Sequence, residues 1–342
     1  MINLNFIKLL MSLLFIQFII SILFLFTGTQ LLVNSAISIS NKLNINRLII
    51  GLTIVSLATS LPELFVTLQA SMKGYYDFAI GNIIGSNISN ISFVLGTIAI
   101  ISPIIFSKKE MTLNYLPLLF VSVLFVLILI SFGLLNILYG CVSIILLIGF
   151  NFFILFKGKD LIITEEFDDS NQFYFFGKQF IINKIFTLIF LLLIGTIILW
   201  LGSELLIRSS KDIATIFGLS DRVISITLVA LGTSLPELFA SVYAASKSET
   251  KLAIGNLLGS NIFNILAVLG VTSILRDVYI GSNLYPDAII MLLITLCLVP
   301  VFYFRKIIKT SNQTGPSNLL IYKAEGFLLL FIYIAYIVFT LG

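Results

Sequence analysis

The sequence carries a long internal repeat. Residues 53–96 align with residues 227–270 at a constant offset of 174, without a gap, and 25 of the 44 paired positions are identical. The register continues upstream, where Gly28 and Ser35 match Gly202 and Ser209. A chain that contains one such segment twice is expected to fold as two related halves.

Both halves are too apolar for a soluble protein. Hydrophobic residues make up 59% of the 342 residues and charged residues only 11%, and the mean hydropathy is +1.13. A soluble domain carries about 25% charged residues, and a chain of this size cannot hide so much apolar surface from water in one core. The composition excludes a soluble domain and a disordered chain, and it predicts an all-α polytopic membrane protein.

Ten segments are long and apolar enough to cross a bilayer as helices, which takes about 20 residues each. The predicted spans are 11–36, 46–72, 77–103, 112–131, 135–157, 183–209, 221–246, 251–275, 285–304 and 320–341. The longest polar stretch separates five spans from five. We therefore predict a first repeat over 1–157, a linker over 158–182 and a second repeat over 183–342.

An odd number of spans per repeat fixes how the halves are related. Two five-span units in one chain must cross the membrane in opposite senses, which is the inverted-repeat plan of secondary transporters. The alternative is a duplication kept only for packing. That alternative predicts a conserved apolar pattern, whereas this repeat also retains Thr, Ser, Glu and Asn inside apolar spans, and such groups are usually functional.

Basic residues indicate the orientation. With the N-terminus outside, 14 of the 20 Lys and Arg residues fall on the inner side. Because Lys and Arg are enriched in cytoplasmic loops, we predict a multi-pass protein of the cell membrane with both termini outside and the central loop in the cytoplasm. The net charge of +4 is too small to indicate a nucleic-acid partner. The lipid bilayer is the expected partner.

Glu63 and Glu237 occupy matching places near the middle of their spans. A carboxylate in hydrocarbon costs at least ~2.5–3.5 kcal/mol and needs a partner. No Lys or Arg is placed at matching depth to pair both, so a bound cation is the natural partner. The alternative is a pair of protonated structural glutamates. The chain has no histidine, which favours a hard cation bound by oxygen atoms.

Each glutamate follows the sequence Thr-Ser-Leu-Pro, which begins at Thr59 and at Thr233. Proline removes a helical N–H donor and displaces the carbonyl four residues back. Freed carbonyls at membrane depth are tolerated only where they are buried in protein or line a wet cavity. One such kink is common in membrane helices, but two identical kinks beside two glutamates predict a cation site.

A second repeated element reads GNIIGSNISN from Gly81 and GNLLGSNIFN from Gly255. Its glycines predict close helix approach. Spacing of four residues places two Ser–Asn pairs on one helical face each, and these are Ser86 with Asn90 and Ser260 with Asn264. The remaining asparagines of the element, at 82, 87, 256 and 261, are expected to form hydrogen bonds to backbone or to neighbouring helices. Glu204, the counterpart of Gln30, is either a secondary site or a structural hydrogen-bonding group.

These residues closely resemble the paired alpha repeats of the cation/calcium exchanger superfamily, here over 51–96 and 225–270, and the prokaryotic sodium/calcium exchangers in particular. The resemblance covers essentially the whole chain. It implies ten helices in two inverted halves, four cation sites between the repeats, and a first and a sixth helix that slide together across the other eight. It also implies an antiporter rather than an enzyme, with Ca²⁺ and Na⁺ as transported ions and no resident cofactor.

The resemblance also implies a role for each site residue. Glu63 and Glu237 would be the central Ca²⁺ ligands, completed by the carbonyls of Thr59 and Thr233. Two flanking Na⁺ sites would be formed by neutral oxygens, and Asn90 and Asn264 would lie beside the centre. The first flanking site would use Ser60, Ser86 and the carbonyl of Ser56, and the second Ser234, Ser260 and the carbonyl of Ala230.

One departure and three alternatives accompany that interpretation. Potassium-dependent members carry Asp where this chain has Asn264, so potassium co-transport is disfavoured. The first alternative is a proton/calcium or other divalent-cation exchanger on the same fold. The others are an ion channel and a membrane enzyme that uses the two glutamates as an acid/base pair. No nucleophile motif or cofactor signature supports an enzyme, and a monomer can hold the complete site.

Overall fold

The structure is a computed structural model that describes residues 4–106, 108–158, 172–216, 230–309 and 319–341. The first half contains the helices α1 Leu4–Leu43, α2 Arg47–Ile50, α3 Ser56–Thr59, α4 Leu61–Met72, α5 Tyr76–Ile88, α6 Leu95–Ile101, α7 Lys108–Phe132 and α8 Ile137–Gly158. The second half contains α9 Ile185–Ile216, α10 Ala230–Thr233, α11 Leu235–Ser246, α12 Thr250–Phe263, α13 Leu269–Leu275, α14 Tyr285–Lys309 and α15 Lys323–Leu341.

Short π-helical segments and strands complete the described fold. The π-helical segments are π1 Gly51–Val55, π2 Ser89–Val94 and π3 Asn264–Val268. The strands are β1 Ile104–Phe106, β2 Leu134–Leu135, β3 Gln172–Phe175, β4 Lys178–Ile181, β5 Val278–Tyr279 and β6 Leu319–Ile321. None of these strands was predicted from the sequence, and they pair two by two.

The prediction of a helical membrane protein is confirmed, but the count of ten spans is not. Seven helices among the described residues are long and apolar enough to cross a bilayer, or eight if the bent segment from Arg47 to Met72 is one span. Ser282–Leu298 is a shorter apolar helix. The first part of the seventh predicted span, 221–229, lies outside the described residues.

Strand pairing shows that the halves run in opposite senses. The segment after α6 pairs with the segment before α15, as β1 with β6. The repeat counterpart of β1 is β5, at the offset of 174, and β5 pairs instead with β2. Equivalent connections therefore lie at opposite ends of the bundle, as an inverted repeat requires. The end that carries β3 and β4 is called the hairpin face, and the end that carries β2 and β5 the far face.

Glycines bring helices from the two halves close together. A Cβ at Gly28 would lie 2.5 Å from the backbone nitrogen of Leu199, and one at Gly202 would lie 2.7 Å from that of Leu25. These two glycines are repeat counterparts. Because neither carries a side chain, α1 and α9 pack closely along their length.

The glycine element that begins at Gly255 allows the close helix approach that the sequence predicts. A Cβ at Gly259 would lie 2.6 Å from Ser56 Oγ and 2.7 Å from the carbonyl oxygen of Leu52. Because α12 approaches π1 and α3 this closely, the two halves are joined directly beside the repeated polar residues. The counterparts of π1 and of the start of α3 fall at 225–230, of which 225–229 lie outside the described residues.

Candidate functional site

Both proline motifs break their helices in the same way. In the first half α3 ends at Thr59, Ser60 adopts φ −84° and ψ 2°, and α4 begins at Leu61. In the second half Ser234 adopts φ −85° and ψ 3° between α10 and α11. The bend between the two parts of the first segment is 41°. The predicted kink is confirmed, and Pro62 stands where its missing N–H is least costly, in the first turn of the new helix.

Glu63 and Glu237 are the most deeply buried acids of the described chain, each with 0% of its surface exposed. Both lie in the first turn of the helix that follows the break, where the helix dipole favours negative charge. Among the described residues neither has a Lys or Arg partner, so their charges are left for another cation to balance.

The hydroxyl groups around the breaks form hydrogen bonds across the two halves. Thr59 Oγ1 lies 3.2 Å from Ser260 Oγ, and Thr233 Oγ1 lies 3.2 Å from Ser86 Oγ. Each break is therefore joined to the second element of the other repeat.

The hydroxyl of Ser60 also crosses between halves. It donates to Glu237 Oε1 at 3.4 Å. The structure thus brings both motifs of both repeats into one polar centre, as the sequence predicted.

Two matching relays hold the threonines in place. Thr59 donates to Asn256 Oδ1 at 3.0 Å, and the amide of Asn256 donates to Ser241 at 2.9 Å. In the other half Thr233 donates to Asn82 at 3.3 Å, and Asn82 donates to Thr67 at 3.2 Å. The expectation that these asparagines form interhelical hydrogen bonds is confirmed.

Asn264 is oriented by a neighbour that the sequence did not single out for this role. Its amide nitrogen donates to Asn87 Oδ1 at 3.0 Å, while Asn87 also donates to the carbonyl of Asn261 at 3.4 Å. Asn264 Oδ1 has no hydrogen-bond partner among the described residues. The hydrogen bond from the amide nitrogen leaves this oxygen available as a ligand.

Several oxygens of the centre remain without a hydrogen bond. Within the described part of the chain these buried atoms include both carboxylate oxygens of Glu63, Glu237 Oε2, Asn90 Oδ1, Asn264 Oδ1 and Ser234 Oγ. A buried polar atom that forms no hydrogen bond costs about 1–3 kcal/mol. Carboxylate, amide and hydroxyl oxygens are the ligands that hard cations take, so the donor set fits Ca²⁺ or Na⁺.

The helices around Asn90 and Asn264 are locally widened. Both residues lie in π-helical segments, π2 and π3, which are repeat counterparts. Such segments occur often at functional sites because they shift side chains out of the regular helical register. The sequence-based placement of these residues assumes regular α-helical spacing, and it does not predict the π-helical widening.

The remaining predicted ligands lie beside the centre. The carbonyl of Ser56 accepts the backbone N–H of Ser60 at 3.0 Å, and the Ser56 hydroxyl donates to Leu52 at 2.8 Å. Ala230 begins α10, one turn before the second break.

Among the described residues, Glu204 forms no hydrogen bond to a neighbouring helix. It pairs with Arg208 of its own helix at 2.7 Å, on a surface where Glu204 is 37% and Arg208 73% exposed. Of the two alternatives, a secondary site or a structural hydrogen-bonding group, the described contacts favour a structural role, since the acid is neutralised by Arg208 one turn away. Its counterpart Gln30 accepts a hydrogen bond from the backbone of Phe176 at 2.9 Å.

Sequence reasoning missed Thr67 and Ser241, which end the two relays. The sequence does contain a signal for this pair, because Thr67 and Ser241 both carry a hydroxyl group at the repeat offset of 174. It was not sufficient, since a hydroxyl on an apolar helix is more often bonded to its own backbone.

Comparison with known proteins agrees with this geometry. The family profile described as sodium/calcium exchanger protein matches residues 13–156 and 187–342. The putative antiporter CaxA of Alkalimonas amylolytica is 35% identical over 297 residues, which cover 82% of this chain and 89% of that protein. The sodium/calcium exchanger MaX1 of Methanosarcina acetivorans is 29% identical over 95% of this chain and 97% of its own length.

The similarity to known exchangers also holds for the three-dimensional fold. The sodium-calcium exchanger NCX_Mj superposes with a TM-score of 0.77 at 30% sequence identity, over 96% of this chain and 98% of that one. The family profile covers both halves and both polar motifs. The chain therefore belongs to the sodium/calcium exchanger family.

Proposed function

We propose that this protein exchanges Na⁺ for Ca²⁺ across the membrane by alternating access. The observation that carries the proposal is the pair Glu63 and Glu237, fully buried between inverted halves and without a cationic partner in the described chain. The family and the solved relative support the same activity. The protein is a transporter and not an enzyme.

We assign the central Ca²⁺ position to the two carboxylates and to the carbonyls of Thr59 and Thr233. The unpartnered oxygens of Asn90 and Asn264 support their place beside it. Flanking Na⁺ positions are assigned to Ser60 and Ser86 with the carbonyl of Ser56, and to Ser234 and Ser260 with the carbonyl of Ala230. The cross-half contacts of these serines support that grouping.

Charge explains why the two ions alternate. Two carboxylates carry −2, which one Ca²⁺ or two Na⁺ neutralise, so both ions compete for the same oxygens. Moving two unpaired carboxylates through a dry barrier carries a large desolvation cost. An occupied site is neutral and crosses the switch between access states, whereas an empty site resists it. This coupling needs no ATP.

The proposed location and orientation of the transporter follow from the distribution of its basic residues. We place it in the cell membrane with both termini outside and the hairpin face in the cytoplasm, because 14 of 20 basic residues then lie inside. Arg47, whose side chain pairs with Glu249, lies on that face. The complete site lies within one chain, so we propose a monomer.

Radiolabelled Ca²⁺ uptake into liposomes tests the function. Purified protein is reconstituted into vesicles loaded with Na⁺, with K⁺, or with a pH gradient as the driving force. We expect uptake that requires internal Na⁺ and stops when the Na⁺ gradient is collapsed. Uptake driven by the pH gradient alone would contradict the Na⁺ coupling and establish the proton/calcium alternative. Ca²⁺ flux without any counter-ion requirement would indicate a channel.

Disrupting one relay should weaken Ca²⁺ binding. Asn256→Ala leaves the hydroxyls of Thr59 and Ser241 without their amide partner, at a cost of about 1–3 kcal/mol. Because the relay holds the residue whose carbonyl we assign to Ca²⁺, we expect at least a tenfold rise in the Ca²⁺ concentration for half-maximal uptake, that is ~1.4 kcal/mol.

The control for this relay is another helical asparagine. Asn151 donates to the carbonyl of Leu147 on its own helix, away from the centre. Asn151→Ala should leave the half-maximal concentration unchanged. Equal behaviour of the two variants would show that Asn256 does not position the site.

A further inference from the structure

A large cavity opens toward the far face between α4 and α9. Its volume is about 1150 Å³, and its walls include Phe65 and Gln69 on α4 and Trp200, Glu204 and Arg208 on α9. The rings of Phe65 and Trp200 stack with centroids 5.1 Å apart. Phe65 is two residues from Glu63, so this stack lies at the end of the cavity that is nearest the cation site.

The inverted repeat defines the equivalent place on the hairpin face. At the offset of 174, Trp200, Glu204 and Arg208 of α9 correspond to Phe26, Gln30 and Asn34 of α1. Phe65 and Gln69 of α4 correspond to Phe239 and Tyr243 of α11. The equivalent of the open cavity is therefore the boundary between α1 and α11, and there the two helices pack against each other.

The hairpin formed by β3 and β4, residues 172–181, occupies this boundary. Ser38 donates to the carbonyl of Gln172 at 3.2 Å, and Asn34 donates to the carbonyl of Tyr174 at 2.6 Å. The backbone of Phe176 donates to Gln30.

The hairpin extends toward the middle of α1. The ring of Phe176 meets that of Phe26 edge-on, with centroids 5.8 Å apart. From Ser38 to Phe26 the contacts follow α1 for about 18 Å, at ~1.5 Å per residue.

The tip of the hairpin has a tight, defined shape. Phe176 and Gly177 form its two-residue turn with φ of 47° and 74°, the left-handed pair that a type I′ turn needs. A phenylalanine adopts this conformation at a cost. The hydrogen bond to Gln30 and the ring contact with Phe26 offset that cost only while the tip lies against α1.

Asn34 joins three elements. Its amide nitrogen donates both to the carbonyl of Tyr174 in the hairpin and to the hydroxyl of Tyr243 on α11, at 2.6 and 3.1 Å. The counterparts of Asn34 and Tyr243 are Arg208 and Gln69, which both line the open cavity on the far face. The three-way contact at Asn34 therefore belongs to a closed boundary and must break if α1 and α11 separate as α9 and α4 do.

We propose that the hairpin of residues 172–181 is an intramolecular latch. It holds α1 against α11 and keeps the cation site closed toward the hairpin face, and it must leave α1 before the site opens there. This inference rests on the proposed function, because a latch on one face has a purpose only in a protein that alternates between faces. It adds a control element from the central linker to the exchange cycle.

Thiol accessibility tests the latch without measuring transport. The free cysteines Cys141 and Cys297 are first replaced by alanine. A cysteine is then placed either at Ala240, which is 1% exposed on α11, or at its counterpart Val66, which lines the far cavity. The full-length protein in detergent is treated with a charged methanethiosulfonate reagent, which reaches both faces.

The latch is then removed in two ways. In one variant residues 172–181 are replaced by a Gly-Ser linker of the same length, and in the other the change is Asn34→Leu. We expect A240C to react at least about tenfold faster in both, since each variant loses two or more hydrogen bonds. We expect V66C to change less than about twofold.

Two results would overturn the latch. One is an unchanged rate at A240C in both variants, and the other is an equal rise at A240C and V66C, which means general loosening. Ca²⁺ uptake by the protein with its native hairpin tests the proposed function separately. A failure of exchange is thus distinguishable from a failure of the latch.

Discussion

Glu63→Gln and Glu237→Gln should each lower Na⁺-driven Ca²⁺ uptake by about 10²–10⁴-fold. Glutamine keeps the shape of the side chain but removes one of the two charges that balance the cation. Removing one partner of a buried charge interaction costs about 3–5 kcal/mol, which corresponds to this change in affinity. Uptake of radiolabelled Ca²⁺ into Na⁺-loaded liposomes measures it, with equal amounts of reconstituted protein.

The matched control is Glu204→Gln. Glu204 is also an acid on a membrane helix, but it is partly exposed and paired with Arg208, and exposed pairs contribute only ~0–1 kcal/mol. The repeat itself places glutamine at the counterpart, Gln30. This variant should retain uptake within about fivefold of the native rate. Native uptake by either Glu63→Gln or Glu237→Gln would contradict the assignment of these residues.

Gly259→Val should destabilise the whole bundle. A Cβ there lies 2.7 Å from the carbonyl oxygen of Leu52 and 2.6 Å from Ser56 Oγ, and a backbone carbonyl cannot move aside as a flexible side chain does. Overpacking typically costs 1–3 kcal/mol, and a clash with backbone places this variant at the upper end. We expect an apparent melting temperature lower by about 10 °C, measured by thermal unfolding in detergent.

Gly149→Val is the control for that change. It lies on α8, where an added Cβ meets no atom of the described residues within 4 Å. The same substitution there should leave the melting temperature within about 2 °C. Equal melting of the two variants would show that the contact between α12 and π1 does not hold the halves together.

Much of the fold was predictable because it follows from the small number of charged residues in each segment and from the length of the segment. An apolar segment of about 20 residues has one stable arrangement in a bilayer, and an odd number of spans per repeat determines the opposite sense of the halves. The strand pairs β1 with β6 and β2 with β5 escaped prediction. They have two or three residues each, which is too short for an alternating pattern to appear.

The chemical groups of the site were also readable from the sequence. Glu63 and Glu237 stand out because ionisable groups in hydrocarbon are costly, and Pro62 and Pro236 indicate the breaks because proline lacks an N–H. The partners were not readable. Whether Thr59 meets Asn256, and whether Asn264 meets Asn87, depends on how helices from different halves cross, and that geometry lies outside any local pattern.

The hairpin was hidden for a different reason. Residues 172–181 follow an acidic stretch, and the sequence predicts them as part of a polar linker over 158–182. Phe173 is 4% exposed and packs inward, but a strand of four residues is too short to show a clear alternating pattern. The contacts of Gln30, Asn34 and Ser38 with the hairpin reveal its place.

Competition between the two ions on the purified protein tests the central claim most directly. Bound radiolabelled Ca²⁺ is measured at equilibrium while Na⁺ is raised and K⁺ is lowered to keep the ionic strength constant. The shared site of Glu63 and Glu237 predicts that Na⁺ displaces Ca²⁺ completely and that K⁺ alone does not. Ca²⁺ that stays bound at saturating Na⁺ would contradict a common site and, with it, exchange by alternate occupancy.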